Sequence, residues 1–276
     1  MSQLTPFLSL LLLVVAMTAL SVNTGQTQDN AGQSQDNAGQ SQEIAGQAQE
    51  TAGQDKEVVN HDFRVTIKVF DDKGEKLDEH LVVFDKAMVY DFDQGDGKSA
   101  IVFDLQRKRV ILLDPESKVR STVNTEDLTH LVAQIRASAD DKSRERLGLN
   151  AVAELTDEQY VVHFGKIQYS STTQAPSDRN IALAFGQFAD WASRLNAARH
   201  RGLPPFARMS LNQKVASAGE LPKELELQVK RPLKTDRYRS TYELIEQTSE
   251  KDRKQITEVG SMLALYREVP LGAFPR

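Results

Sequence analysis

Three acidic residues beside two glycines form a cluster of residue types that could bind a metal ion. Asp91, Asp93 and Asp96 lie within six residues, and Gly95 and Gly97 flank the last of them. An EF-hand loop needs oxygen ligands at positions 1, 3 and 5, glycine at position 6 and glutamate at position 12. Counted from Asp91, glycine stands at position 5 and valine at position 12, so the calcium register fails.

The same stretch has the composition of a tight turn between two strands. Glycine permits positive φ, and aspartate is frequent in turns. The residues on both sides alternate between apolar and polar types, as half-buried strands do. We therefore predict a β-hairpin turn around residues 93–97, with a weak divalent-ion site as the alternative.

The histidines do not stand at the spacings of metal or catalytic sites. His61, His80, His130, His163 and His200 form no H-x-H or H-E-x-x-H pattern. The chain also has no nucleophile elbow or phosphate-binding glycine loop, and it contains no cysteine. We predict that the protein is not an enzyme and uses no metal or cofactor; a hydrolase with an unfamiliar site is the alternative.

The N-terminus is typical of an export signal. Residues 7–22, FLSLLLLVVAMTALSV, are uncharged, and the segment is shorter than the roughly 20 residues that a membrane-spanning helix needs. Small residues at Ala19 and Ser21 indicate a cleavage site. We predict a signal peptide over residues 1–21, with an uncleaved anchor as the alternative. An exported chain without cysteine fits the bacterial envelope, in the periplasm or at the cell surface.

A low-complexity repeat follows the signal. Residues 27–54 read TQDNAGQ, SQDNAGQ, SQEIAGQ and AQETAGQ, a period of seven repeated four times. Ile44 is the one large apolar residue among them, whereas a coiled coil needs apolar residues at two positions of every heptad. We therefore predict a disordered spacer over residues 22–57 and a single α+β domain over residues 58–276.

An antiparallel meander should open that domain. FRVTIKV, beginning at Phe63, alternates strictly between apolar and polar residues and predicts a half-buried strand. Five further strand patterns follow: HLVVFD, AMVYDF, SAIVFDL, RVILLD and KVRSTV. Connections of about two to six residues are too short for parallel crossovers, so neighbouring strands should be antiparallel. Such a sheet has an apolar face that needs a cover.

The second half of the chain predicts helices that can supply the cover. We expect helices over NTEDLTHLVAQIRASADD, over residues 143–153, over ALAFGQFADWASRLNAAR and after the paired prolines of LPPFARMSLNQKVA. The third carries Phe188 and the single tryptophan, Trp191, whose role is core packing or an apolar ligand surface. KELELQVK and YRSTYELIEQT predict paired strands. A capping box of Ser249 and Asp252 should begin the last helix.

Charge is unevenly distributed along the chain. Residues 23–100 hold 16 acidic and 7 basic side chains, whereas residues 190–240 hold 5 acidic and 11 basic ones. The basic stretch is typical of a solvated surface whose charge the acidic half balances, and the alternative is a face that meets anionic lipid headgroups or glycans at an envelope or membrane surface. The net charge of −5 and the export signal argue against nucleic acid as a partner.

The centre of the meander, AIVFDLQRKRVILLDPESKVRS, resembles the LolA-like superfamily of bacterial outer-membrane lipoprotein carriers. The similar features are a strand ending in Asp104, the LQRKR turn, and a second strand that ends in the turn of Asp114, Pro115 and Glu116. The stretch GELPKELELQV resembles a late strand of such domains. The resemblance implies a half-open barrel covered by helices, with an apolar cavity that binds acyl chains.

These features together predict an α+β fold, in which an antiparallel meander forms an open or half-open barrel covered by helices. We expect a non-enzymatic envelope protein that binds a lipid-like ligand, with a lipid or lipoprotein as its partner. The alternative is a structural or interaction protein of the cell surface, displayed on the repeat spacer. The side chains predicted to line the ligand site are Tyr90, Phe92, Phe103, Phe188 and Trp191.

Overall fold

The computed structural model describes residues 62–95 and 98–275, so the predicted signal peptide and repeat spacer lie outside the described residues. The described part contains twelve strands and five α-helices. The strands are β1 Phe63–Phe70, β2 Lys76–Asp85, β3 Met88–Asp93, β4 Ala100–Asp104, β5 Arg109–Asp114, β6 Val119–Asn124, β7 Glu154–Thr156, β8 Gln159–Phe164, β9 Ile167–Gln174, β10 Leu221–Lys230, β11 Thr235–Ile245 and β12 Arg267–Glu268. The helices are α1 Thr125–Ser138, α2 Asp141–Leu147, α3 Arg179–Ala198, α4 Pro205–Ser217 and α5 Glu250–Leu265, and a 3₁₀ turn covers Leu271–Ala273.

All twelve strands belong to one sheet, in the order β12-β6-β5-β4-β3-β2-β1-β11-β10-β9-β8-β7. Every neighbouring pair is antiparallel except β12 and β6, which are parallel. The predicted six-strand meander is confirmed as β1–β6, and the α+β class is confirmed with it. The sheet is wider than the meander because β11 pairs with β1 and extends the order through β10 to β7. Since β12 and β7 stand at its two ends, the sheet is open.

Strict alternation gives the sheet two different faces. In β1, Phe63, Val65, Ile67 and Val69 are buried, while the residues between them are partly exposed. We call the face that carries these four side chains the inner face, and the opposite one the outer face. Side chains of α3 and α4 pack on the inner face, and α5 packs on the outer face of the meander half.

Aromatic and branched residues fill the space between the inner face and the helices. The rings of Phe63 and Phe84 stack with centroids 3.9 Å apart, and Phe188 of α3 meets Phe84 edge-on at 5.8 Å. Such edge-on pairs add to the stabilisation from apolar burial. The sheet contributes Val65, Ile67, Val82, Ile101, Phe103, Val110, Leu112, Leu225 and Leu227 to this core, and the helices contribute Leu128, Ile181, Phe185, Ala192, Leu195, Leu211 and Val215.

The last helix is fixed to the sheet at its first turn. Ser249 and Asp252 form the predicted capping box, with both reciprocal hydrogen bonds present. Arg64 of β1 donates from Nη1 to both carboxylate oxygens of Asp252 at 3.1 Å. Asp252 is fully buried, so the arginine supplies the charge that its carboxylate needs. Val259, about two helical turns after Asp252, then packs on the outer face.

The second helix begins and ends earlier than the predicted range of residues 143–153. Asp140 caps it by accepting a hydrogen bond from the Ser143 amide, and Gly148 ends it with a left-handed φ of 69°. Phe164 leaves no room for a larger residue there, because an added Cβ on Gly148 would lie 2.8 Å from its ring. The glycine therefore acts as a helix C-cap, which the sequence reading placed inside the helix.

Candidate functional site

The structure distributes the five predicted ligand-site residues over both faces of the sheet. Phe103 and Phe188 meet on the inner face, edge to face, with ring centroids 5.1 Å apart, and both are fully buried. Trp191 is partly buried against the same core, and the Arg194 guanidinium lies 4.7 Å from the centre of its ring. These three residues therefore share one side of the sheet.

Tyr90 and Phe92 lie on the opposite side. Their rings stack at 6.1 Å and pack in the cluster that α5 covers, together with Val259. The reason is the strand period: Val89 stands opposite Phe103 in the β3–β4 ladder, so Val89 shares the inner face and Tyr90 does not. The register of this hairpin was available from the sequence and would have separated the two sets.

Asp91 and Asp93 lie at the end of β3, where the chain turns into the hairpin between β3 and β4. The Asp93 amide donates to the Ser99 carbonyl at 3.0 Å, and the Gly95 amide donates to Asp93 Oδ1 at 2.7 Å. The predicted hairpin is thereby confirmed, although Asp96 and Gly97 lie outside the described residues. Among residues 62–95 and 98–275, no group of three or more histidine, cysteine or acidic side chains is placed to hold a metal ion.

Asp91 takes part in a different constellation, a buried histidine between two carboxylates. His80 Nδ1 lies 2.8 Å from Asp91 Oδ1, and His80 Nε2 lies 3.2 Å from Asp78 Oδ2. His80 and Asp91 are fully buried on the inner face. They are diagonal neighbours in the β2–β3 ladder, in which Val82 stands directly opposite Asp91.

Electrostatics keep this histidine charged. Burial alone would lower the pKa of His80, but the charge of Asp91 and the hydrogen bonds to Asp78 and Asp91 outweigh it and raise the pKa to about 10. The imidazolium then donates from both nitrogens, so it has no lone pair with which to accept a proton. The arrangement is therefore a buried ion pair rather than a general base. Spacing along the sequence did not reveal this pair, because Asp91 is brought beside His80 by the β2–β3 ladder.

A helical flap covers the inner face of the sheet, where its Phe188 contacts Phe84 of β2 and Phe103 of β4. The flap comprises residues 175–220, with α3 and α4 and their connections, and it is inserted between β9 and β10. These strands pair directly, and Gln174 at the end of β9 stands opposite Leu221 at the start of β10. The flap therefore leaves and rejoins the sheet at one place, where Arg179 of α3 donates to the Ser217 carbonyl of α4 at 2.7 Å.

The two helices of the flap are packed as one body. A Cβ added to Gly186 of α3 would lie 2.6 Å from the Cβ of Ala216 in α4. Asn212 of α4 donates from Nδ2 to Asp190 Oδ1 of α3 at 3.1 Å. Burial raises the pKa of Asp190 to about 6, against the opposite effects of the Asn212 hydrogen bond and the charge of Arg194. Glycine lets the helices approach closely, and a polar bridge joins them.

Polar contacts hold the far part of the flap to the rest of the fold. Arg208, only 2% exposed, donates from Nη2 to the hydroxyl oxygen of Tyr242 in β11 at 3.2 Å. Ser210 accepts at Oγ a hydrogen bond from the Ala153 amide at 3.1 Å. Tyr169 of β9 is fully buried nearby, and burial raises its pKa to about 12. The interface between flap and sheet thus combines an aromatic core with a buried polar margin.

A surface groove of about 390 Å³ lies elsewhere, between α2 and the turn that joins β8 to β9. His163 lines it with Asp141, Arg144 and Glu145. His163 is exposed. No ion pair among these four side chains draws them to one point in the described structure, so we do not assign a catalytic role to this groove.

No family model matches the chain, and no curated protein matches it. In the described part of the chain, none of the helices combines the length and the hydropathy that a bilayer crossing requires. The function must therefore be argued from the geometry itself.

Proposed function

We propose that the protein is an exported, non-enzymatic component of the bacterial envelope that binds a lipid-like apolar molecule between the inner face of the sheet and the flap. In this proposal the open sheet is a half-open barrel of the LolA-like kind, and the flap is its cover. The ligand is a lipid or the acyl part of a lipoprotein. The predicted signal peptide supports export, and the sheet-and-flap arrangement supports binding.

One observation carries the proposal: an aromatic sheet face is covered by a two-helix flap whose two attachments lie side by side. Gln174 and Leu221 face each other, so in this proposal both helices lift together when backbone angles change near residues 175–178 and 218–220 and the contacts of Arg208 and Ser210 break. Gly219 in the second connection has a φ of 82°, a conformation that glycine adopts without strain. A cover that is inserted at one point can move without breaking strand pairing.

The flap must move for a ligand to enter, because Phe103 and Phe188 are fully buried against each other. Separating the large apolar side chains of α3 from the sheet costs about 2–3 kcal/mol for each. Burial of each CH₂ group contributes about 0.8 kcal/mol, so an acyl chain of about 14 carbons offsets roughly 11 kcal/mol. A long acyl chain can therefore replace more of the contacts that opening removes than a short one can.

Native mass spectrometry before and after organic extraction tests for a bound molecule directly. Protein purified from an envelope fraction should lose a defined hydrophobic mass on extraction and regain it with long-chain lipid. If the purified protein carries no such mass and binds none after refolding, the proposed function is wrong.

A disulfide lock tests the role of the flap, since the chain has no cysteine of its own. Ala153→Cys and Ser210→Cys place thiols on two residues that are in contact, since the Ala153 backbone amide lies 3.1 Å from Ser210 Oγ. Oxidation should prevent uptake of a fluorescent long-chain fatty acid, and reduction should restore it. The oxidised Ser210→Cys single variant is the control. Equal uptake by the locked and reduced forms would contradict entry beneath the flap.

The alternative function, an interaction protein of the cell surface, is favoured by the hairpin between β10 and β11. Leu233 at its tip is 99% exposed, and Lys230, Arg231 and Lys234 flank it. An apolar tip among basic residues suits an anionic envelope surface. Leu233→Asp should reduce co-sedimentation with anionic vesicles, whereas Leu265→Asp, at another exposed leucine, should not. Equal sedimentation of wild type and both variants would contradict this function.

A further inference from the structure

The strongest unexplained feature of the molecule is the buried guanidinium of Arg208. Nη2 donates to Tyr242, but Nε and Nη1 are buried and have no hydrogen-bond partner among the described residues. None of the ion pairs of the described structure involves Arg208. Buried donors without partners are costly, and charged ones most of all, so this arrangement calls for a ligand.

Arg208 lines a small cavity at the end of the flap that lies away from its attachments. The nine lining residues include two arginines, Arg201 and Arg208, and no aspartate or glutamate. The cavity measures about 10 Å³, which is room for one water-sized atom. The polar groups around it include the side chains of Tyr169, Ser193 and Asn196. An anion would therefore meet positive charge and no competing carboxylate in the lining.

The start of α4 adds a second source of positive potential to the same cavity. Pro204 and Pro205 line it, and the helix begins there without a capping side chain. Proline lacks an amide hydrogen, so the first amides without an intrahelical acceptor belong to Phe206 and Ala207, both of which are buried. The positive end of a helix favours an anion, as it does in phosphate and carboxylate sites.

The nearest acidic group compensates this charge incompletely. Asp190 interacts electrostatically with Arg208, but its carboxylate is bonded to Asn212 and is not within ion-pair distance of the guanidinium. Burial also raises the pKa of Asp190 to about 6, so this carboxyl loses its charge in mildly acidic solution. No ion pair in the described part of the chain therefore neutralises the charge of Arg208 at the cavity.

From these observations we infer that Arg208 and the start of α4 form a binding site for one small monovalent anion. The occupant is a halide ion or one oxygen of a carboxylate group. The carboxylate has an evident source if the protein binds acyl chains, and that part of the inference rests on the proposed function. Inorganic anions test the site without it. A carboxylate held at Arg208 would place the head group at the free end of the flap and its chain towards the aromatic core.

A melting experiment in different sodium salts tests the site. At constant ionic strength, bromide or chloride should raise the melting temperature relative to gluconate, which is too large for the cavity. A ligand at ten times its Kd should raise the melting temperature by about 4 °C. Arg208→Gln should abolish the difference between salts, and Arg253→Gln, which removes an exposed arginine of α5, should keep it.

Crystals soaked in bromide give a second, independent measurement that does not require a variant to fold. The anomalous difference map should show a bromide ion beside Arg208 and the amides that begin α4. Absence of both the bromide peak and the salt-specific melting shift would refute the anion site.

Decanoate and decanol, which share a chain and differ in charge, identify the source of the anion. If the head group binds Arg208, decanoate should bind at least tenfold tighter than decanol, and Arg208→Lys should reduce that preference. Equal binding of the two would refute the carboxylate assignment while leaving lipid binding and the halide site standing. Binding of neither would count against the proposed function alone.

Discussion

The buried pair of His80 and Asp91 should make the stability of the fold depend on pH in a definite direction. A histidine has a pKa near 6.5 in the unfolded chain. In the folded protein the pKa of His80 is raised to about 10. The folded state therefore binds this proton more tightly, and its contribution to stability is fully present below about pH 6.5. It is lost as the pH rises towards 10.

The size of the effect follows from the two pKa values. Each pKa unit is worth about 1.4 kcal/mol, so the contribution is on the order of 5 kcal/mol below pH 6. The same relation leaves about 3 kcal/mol at pH 8 and less than about 1 kcal/mol at pH 10. Because the histidine and both carboxylates are buried or nearly so, salt should screen this contribution only weakly.

Urea unfolding between pH 6 and pH 9.5, followed by the fluorescence of Trp191, measures this dependence. The matched control is the double variant His80→Gln with Asp91→Asn, which keeps polar groups of similar size but does not titrate in this range. Wild type should lose about 3 to 4 kcal/mol of unfolding free energy more than the double variant over the interval. Stopping at pH 9.5 avoids ionisation of buried tyrosines, since burial raises the pKa of Tyr169 to about 12.

A variant of the exposed His163 distinguishes the contribution of His80 to stability from a general effect of pH. His163→Gln should follow the wild-type curve, because His163 is exposed. If wild type and the double variant show the same slope, His80 is neutral in the folded protein and the assignment of a charged pair is wrong. An NMR titration of the His80 ring gives the folded-state pKa directly and decides between these outcomes.

Three further predictions concern the flap, the last helix and the repeat. Gly186→Ala should lower the unfolding free energy by about 1–2 kcal/mol, because overpacking outweighs the gain in helix propensity. Adding Ala216→Gly to the same chain should restore the unfolding free energy. Additive effects of the two substitutions in urea unfolding would contradict close packing of α3 on α4. Asp252→Ala should cost about 2–3 kcal/mol, since it removes the capping box and leaves Arg64 without its partner; a loss below about 0.5 kcal/mol would show that the first turn does not fix α5. Deletion of residues 27–54 should leave the melting temperature within about 1 °C, as expected of a spacer without a core, and a larger calorimetric shift would show that the repeat packs on the domain.

Local patterns in the sequence predicted the elements of the fold well. The alternation in FRVTIKV predicted which residues of β1 are buried, and Ser249 with Asp252 predicted the start of α5. Both signals depend on residues a few positions apart, where backbone geometry fixes which side chains are neighbours. The predicted range of α2 was wrong, because Gly148 with its left-handed φ ends that helix at Leu147.

Pairings between distant residues could not be predicted in the same way. The β1–β11 ladder joins Val65 to Leu244, and no local pattern specifies that partner. The flap could not be predicted for the same reason. Its insertion between neighbouring strands becomes evident once β9 is known to pair with β10. The burial of Arg208 could not be predicted for a different reason. Arginine on a helix is usually exposed, and its burial depends on how the helix packs on the rest of the fold.

The buried polar margin of the flap fits the movable cover that we propose better than it fits an ordinary apolar core. A wholly apolar interface between flap and sheet would favour the closed arrangement, because opening it would expose hydrocarbon to water with no compensating interaction. The donors of Arg208 are different, because Nε and Nη1 are buried without a hydrogen-bond partner among the described residues and are costly to leave so. A molecule with an acyl chain and one negative head group would satisfy both parts of the interface together. The apolar chain would replace the contacts of Phe188, and the charge would satisfy the guanidinium. Such a ligand stabilises the complex more than an uncharged chain of the same length, and this difference is what the comparison of decanoate with decanol measures.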